Sequence, residues 1–168
     1  MLKIPPSEFK ILYEEYNSLV RSVIYQIAGP KYLNDLVQEA FIKIWKGLPG
    51  FNEHSKMSSW IYRIATNIAI DSRRAATRRH EEFGYDFGQI RDPRAGADKE
   101  LENRQLVQQG LESLSDDHRV VLVLAYIHER PLSEIAENLG LSEGTVKSRL
   151  HYAKTAFAEY LKSKGAVA

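Results

Sequence analysis

The sequence predicts an all-α protein: two small helical domains joined by a flexible linker, the C-terminal one a helix-turn-helix. Three observations predict it. Apolar residues recur at spacings of three and four along most of the chain, as they do in helices that bury one face. That periodicity dissolves in EEFGYDFGQIRDPRAG, residues 81–96, where glycine, proline and acidic residues dominate. Finally, PLSEIAENLGLSEGTVKSRLHYAKTAFAEYL, Pro131–Leu161, reads as a short helix, a glycine turn and a longer helix. The expected division is 1–82, an acidic linker 83–97, and 98–168.

Composition bounds the function. The 168 residues carry 23 Lys and Arg against 22 Asp and Glu, a formal net charge of +1. The chain is not a polycation, so a nucleic-acid site must come from local placement of charge. The absence of cysteine excludes disulfides and thiolate metal sites. The histidines lack paired spacings such as HExxH, and neither a Gly-rich phosphate loop nor G-x-S-x-G occurs. No acid–base pair can be singled out among the many solvated carboxylates. No enzyme, metal or cofactor is therefore expected. No apolar run approaches the ~20 residues of a membrane span, and MLKIPPSEF has no signal-peptide core. The expected compartment is the cytoplasm, with no membrane segment.

The elements follow in order. A first helix from about Glu8 to Ala28 is expected from Phe9, Leu12, Tyr13, Tyr16, Leu19, Val20, Val23, Ile24 and Ile27, with Gly29-Pro30 as its stop. Asn34 can cap a second helix, Asp35–Lys46. Leu36, Ala40, Phe41, Ile44 and Trp45 make its stripe, while Asp35, Gln38, Glu39 and Lys43 lie mostly outside it. That polar face is either simply solvated or a docking surface. Gly47–Gly50 breaks the helix, and FNEHSKMSS, Phe51–Ser59, is a polar loop. A long helix then runs to about His80, burying Trp60, Ile61, Ile64, Ala65, Ile68 and Ala69. Tyr62, Arg63, Thr66, Asn67, Ile70, Arg73 and Arg74 approach its other side. Arg63, Arg73, Arg74, Arg78 and Arg79 face only Asp71 in opposition. A basic stripe with interleaved aromatics suits single-stranded nucleic acid, with cations for the backbone and rings for unstacked bases. An arginine-rich end is equally at home near the C-terminal dipole of an ordinary helix.

Residues 81–102 hold seven acidic and three basic side chains, net −4. Phe83, Tyr85 and Phe87 are unusual for a free tether and have either the arginine-rich helix or a partner to pack on. Helical periodicity resumes over Ala97–Leu114. Ser115 can cap a further helix, Asp116–Ile127. Its run Val120–Leu124 would also suit a buried strand, but Asp116-Asp117 at its start and the helical surroundings favour helix. In the helix-turn-helix, Ser133 is a candidate cap for the first helix, Leu139-Gly140 its stop and Ser142 the cap of the second. On a wheel of about 100° per residue, Val146, Leu150, Ala153, Phe157 and Leu161 cluster on one side. Gly144, Lys147, Ser148, His151 and Tyr152 fall on the opposite arc, with Thr145 at its edge. Such an arc suits a major groove, where short polar groups read base edges and cations meet phosphate.

Three segments, in order, resemble bacterial sigma factors of the extracytoplasmic-function (ECF) group. DLVQEAFIKIWKGLPGF, Asp35–Phe51, looks like that family's core-polymerase-binding segment. SSWIYRIATNIAIDSRR, Ser58–Arg74, is similar to its −10-element segment. LESLSDDHRVVLVLAYIHERPLSEIAENLGLSEGTVKSRL, Leu111–Leu150, resembles its −35-binding region. The resemblance implies an alternative sigma factor that binds core RNA polymerase and directs promoter-specific initiation. Its partners would be the β′ coiled coil and β flap of the polymerase, promoter DNA and an anti-sigma factor. Asp35, Gln38, Glu39, Phe41 and Trp45 match the polymerase-binding motif. By motif position, Phe51, the loop Asn52, Glu53, His54, Ser55 and Lys56, and Asn67 would hold a flipped −10 base, with Arg63, Arg73 and Arg74 on phosphates. Lys147 and Ser148 match positions that touch the −35 element, Gly144 and Thr145 the tight start of the recognition helix, and Arg149 the DNA backbone. His151 and Tyr152 complete that surface. The family commonly has Arg-Ala-Arg where this chain has Tyr152-Ala153-Lys154, and tyrosine cannot make a bidentate contact with guanine. The rival reading is a free-standing helix-turn-helix transcriptional regulator that binds duplex DNA alone.

Overall fold

The computed structural model describes residues 5–52, 56–83 and 99–166, and among them no strand occurs. The chain divides into two units, Met1–Arg78 and Arg79–Ala168, each with its own core.

In the first unit, α1 (Pro6–Ala28) starts on a proline, whose missing N–H is no loss in a first turn. It ends where Gly29 turns left-handed at φ 82° and donates its N–H to the Tyr25 carbonyl at 2.9 Å. α2 (Leu33–Gly47) packs against α1. Asn34 does not cap it: the helix begins two residues earlier than expected, at Leu33 after Tyr32, without a side-chain cap. The reason lies across the helix pair, where Arg21 Nη1 donates to Asn34 Oδ1 at 2.9 Å and takes up the acceptor. A 3₁₀ turn, Leu48–Gly50, follows, closed by the Phe51 N–H on the Leu48 carbonyl at 3.1 Å. α3 runs Met57–Phe83, three residues beyond its expected end. Its buried arc is also wider than the sequence suggested. Tyr62 (7% exposed) and Thr66 (0%) are buried beside Ile61, Ala65, Ile68 and Ala69. With Val20, Val23, Ile24 and Ile27 of α1 and Val37, Ala40, Phe41 and Ile44 of α2, these make the core. Apart from Phe83, the expected linker lies outside the described residues.

In the second unit, α4 (Lys99–Glu112), α5 (Asp116–Leu122) and α6 (Leu132–Leu139) all pack on α7 (Glu143–Ser163). Ser115 caps α5 as expected, its Oγ accepting from the His118 N–H at 3.3 Å. The run after it is helical and buried, not a strand, but it closes in a π-helical turn, Val123–Ile127. That one-residue bulge leaves Tyr126 and Ile127 exposed, and Glu129 (φ 50°) completes the turn. Ser133 does not cap α6. Pro131 holds the cap position, without a side-chain bond, and Ser133 sits inside the first turn. Gly140 is left-handed (φ 65°, ψ 36°). The Leu141 N–H reaches back to the Ala136 carbonyl at 2.9 Å, the six-to-one bond of a glycine helix stop. α4 and α7 approach closely at Gly110, where a Cβ would lie 2.5 Å from the Phe157 ring. Among the described residues, no helix is long and apolar enough to cross a membrane.

Candidate functional site

The outer face of α2 carries the first set of residues. Asp35, Gln38 and Glu39 are exposed, and Lys43 pairs with Glu39 at 2.9 Å one turn on. Beside this polar ridge, α1 and α2 enclose a groove of about 540 Å³, lined mainly by Phe9, Tyr13, Val37, Phe41, Ile42 and Trp45. Its walls are braced edge to face: Phe9 stands 4.7 Å from Trp45 at 83° and 6.2 Å from Phe41 at 84°. Tyr13 leans on Phe41 at 4.5 Å. Trp45 is at the surface, but Phe41 is not. At 4% exposure it forms the floor of the groove, in keeping with its place in the apolar stripe of α2. Ile42, 47% exposed, escaped the sequence reading because it stands outside the core stripe, one turn beyond Gln38. An isolated isoleucine in a polar ridge was the available signal.

α3 carries the second set. At about 100° per residue, Arg63, Asn67, Arg74 and Arg78 share one arc, and all four are exposed. Arg73 faces away from that arc and is half-buried, so it stands apart from the other arginines. An amide among guanidiniums offers one group that both donates and accepts toward a base edge, flanked by cations for phosphates. Phe51 is half-buried against Trp60, ring centroids 5.2 Å apart at 46°. Asn52 and Lys56 are exposed, while Glu53, His54 and Ser55 lie outside the described residues.

α7 carries the third. Ser142 caps it, its Oγ accepting from the Thr145 N–H at 3.1 Å and lying 2.9 Å from Thr145 Oγ1. Val146 and Ala153 are buried, and Leu150, Phe157 and Leu161 are half-buried on the same side. Gly144, Lys147, Ser148, His151 and Tyr152 are exposed opposite, with Thr145 at the edge. The His151 and Tyr152 rings meet edge-on at 5.4 Å, and Tyr152 is 62% exposed. Ser148 Oγ donates to the Thr145 carbonyl at 3.0 Å. Arg149 pairs with Asp117 of α5 at 3.0 Å, its side chain 29% exposed. Lys154 lies 5.5 Å from the centre of the Tyr126 ring. Lys147 is thus left as the cation on the reading arc among the described residues.

Two titrations are displaced among the described residues. The Tyr16 hydroxyl is pushed up, first by burial and then by Glu15. His128, in the turn between the π-helical segment and α6, is pushed down to about 4, first by burial and then by the neighbouring Arg130 charge. Arg130 is itself paired with Glu134 at 2.7 Å.

Residues 12–79 match the Sigma-70 region 2 family and residues 110–156 the Sigma-70, region 4 family. The chain is therefore built as a two-region initiation factor of the sigma-70 type. Among curated proteins, it is 32% identical to the ECF RNA polymerase sigma factor SigW of Bacillus subtilis, over 92% of this chain and 89% of that one. It is also 32% identical to the ECF RNA polymerase sigma-E factor of Escherichia coli K12, over 88% and 83%. The chain belongs to the ECF sigma factors: it is an alternative sigma factor, and the free-standing regulator is set aside. Two solved structures share the fold. One is the sigma factor RpoE in complex with the anti-sigma factor NepR from Bartonella quintana (TM-score 0.76, 23% identity, 92% of this chain and 97% of that one). The other is CnrH in complex with the cytosolic domain of CnrY (TM-score 0.71, 23% identity, 95% and 90%).

Proposed function

We propose that this sigma factor grips a promoter at two places, through its two units, while a third surface holds the polymerase. In this reading, residues 1–82 bind core enzyme and open the −10 element, 83–97 are an acidic linker, and 98–168 read the −35 element. The groove between α1 and α2, with Asp35, Gln38, Glu39 and Trp45 on its rim and Phe41 beneath, takes the β′ coiled coil. Its depth and aromatic lining suit an apolar helix edge, and its acidic rim suits basic side chains beside that edge. The C-terminal unit docks near the β flap. An anti-sigma protein covers one or more of these surfaces, as such proteins accompany the two structural relatives.

The −35 duplex is read by the exposed arc of α7. Gly144 allows close approach, Thr145 and Ser148 shape the helix start, and Lys147, His151 and Tyr152 face the groove. Arg149, tied to Asp117, orients the helix instead of gripping the backbone. At the −10 element, a nontemplate base leaves the stack and is held between Phe51, the loop 52–56 and Asn67, with Arg63 and Arg74 on phosphates. Extruding a base costs a few kcal/mol, which stacking and edge hydrogen bonds offset.

The observation that carries this reading is the arc of α3 on which Asn67 stands among Arg63, Arg74 and Arg78. The test is transcription with purified protein and core polymerase on templates whose start sites were mapped after overexpression. Specific initiation is expected, and Asn67→Ala should lower it while core binding persists. Absence of initiation on every genomic template, with active core present, would overturn the reading.

A further inference from the structure

Gly47, Phe51 and Trp60 meet where α2 hands the chain to the loop before α3. Gly47 is the last residue of α2. A Cβ there would lie 2.8 Å from Trp60 Cζ2 and 3.3 Å from Cη2, so the indole occupies the room that any other residue would fill. The same indole supports the Phe51 ring at 5.2 Å. The backbone is held at both Phe51 and Trp60. Leu48–Gly50 is a 3₁₀ turn closed onto Phe51, and Trp60 sits in the first turn of α3, its N–H on the Lys56 carbonyl at 3.2 Å. Unlike Ile61, Ala65 and Ile68 farther along, Trp60 is only half-buried. Filling the core does not account for so large a ring at the rim.

We propose that Trp60 is a positioning residue for −10 base capture, and that the absent side chain at Gly47 is what admits it. The indole props Phe51 at the angle from which its ring meets an unstacked base. This rests on the −10 reading above. Stacking depends steeply on ring orientation, so a small displacement of the prop is felt at Phe51. A methyl group at residue 47 meets the rigid far edge of the indole. The clash is relieved only by moving a ring on which Phe51 leans.

The experiment uses holoenzyme at a mapped promoter and measures open complex by permanganate reactivity. The nontemplate strand is intact or carries a single abasic site at one −10 position at a time. For the wild type, one abasic position is expected to lower open complex about tenfold. Gly47→Ala and Trp60→Leu should each lower it on the intact strand by a similar factor. They should also become insensitive to that abasic site, because the base is no longer properly met. Trp60→Phe, which keeps a smaller ring, should recover part of both. Core binding and melting temperature are measured alongside. Should Trp60→Leu fail to fold, Gly47→Ala and Trp60→Phe carry the comparison. Variants that keep the full abasic penalty would show Trp60 to be packing alone and overturn the proposal. If no abasic position affects the wild type, base capture itself fails, a different and separable result.

Discussion

At Gly144 a side chain would have open space: a Cβ there finds only Ser142 Oγ, at 3.8 Å. The fold does not require glycine at this position, and the residue already lies inside α7, where alanine is the better helix former by up to about 1 kcal/mol. If its role is to let the backbone approach DNA, stability and function separate. Gly144→Ala should leave the melting temperature unchanged or raised, yet weaken −35 duplex binding by about tenfold, since a methyl group must be fitted into a close interface. Equal duplex affinity in a binding titration would remove Gly144 from the interface. Arg149 makes a complementary case. Its pairing with Asp117 is partly exposed and is worth at most about 1 kcal/mol. Asp117→Asn should therefore cost little stability but release a guanidinium toward the phosphates. Affinity for nonspecific duplex should rise, and the slope of log affinity against log salt should steepen by about one. An unchanged slope would mean that Arg149 has no route to DNA.

Among the elements, the π-helical turn and the start of α6 hold a histidine whose titration burial displaces. His128 titrates near 4 in the fold against about 6.5 unfolded. Between those values the unfolded chain binds a proton that the folded one does not. Its contribution is therefore complete above about pH 6.5 and is lost as pH falls toward 4. Wild-type protein should lose more melting temperature between pH 7 and pH 5 than His128→Gln. Parallel curves would assign the acid sensitivity elsewhere. This region also marks where the sequence stopped being legible. The caps at Ser115 and Ser142 and the stop at Gly140 are local decisions, made within four residues, and local pattern reads them. Asn34 has the right chemistry for a cap, but its acceptor goes to Arg21, thirteen residues away, which a local pattern does not contain. Ser133 lost its place to Pro131, whose fixed φ suits the residue before a first turn. Tyr62 and Thr66 were placed outward because a single stripe was assumed, whereas α3 is buried over a wider arc. A π-helical turn adds one residue without disturbing the apolar spacing before it, so periodicity does not register it.

For the whole molecule, the division into two units, each with its own core, implies that either folds without the other. Fragments 1–82 and 98–168, expressed separately, should each be helical and melt cooperatively. The first should retain core-polymerase binding and the second −35 duplex binding. A fragment that is unfolded alone would make the cores interdependent. The order of the two sigma regions along the chain was legible because three motifs stand in sequence, and the two family matches cover the corresponding stretches. The groove was legible only in part. Phe9 and Tyr13 belong to α1 and Ile42 to α2, and nothing in either helix alone says that they face one another.

The tie between Arg149 and Asp117 bears on how the protein finds its target. With that guanidinium engaged, Lys147 is the ammonium on the exposed arc with Gly144, Ser148, His151 and Tyr152, and if that arc is the −35 surface its counterion-release contribution is small. Alone, such a module would dissociate before it could discriminate one site among a genome of competitors. Carried on a polymerase already poised over the same duplex, it works at the high local concentration that a shared scaffold confers. Weak intrinsic grip then becomes an advantage, because the enzyme can let go of the upstream site when it leaves to elongate.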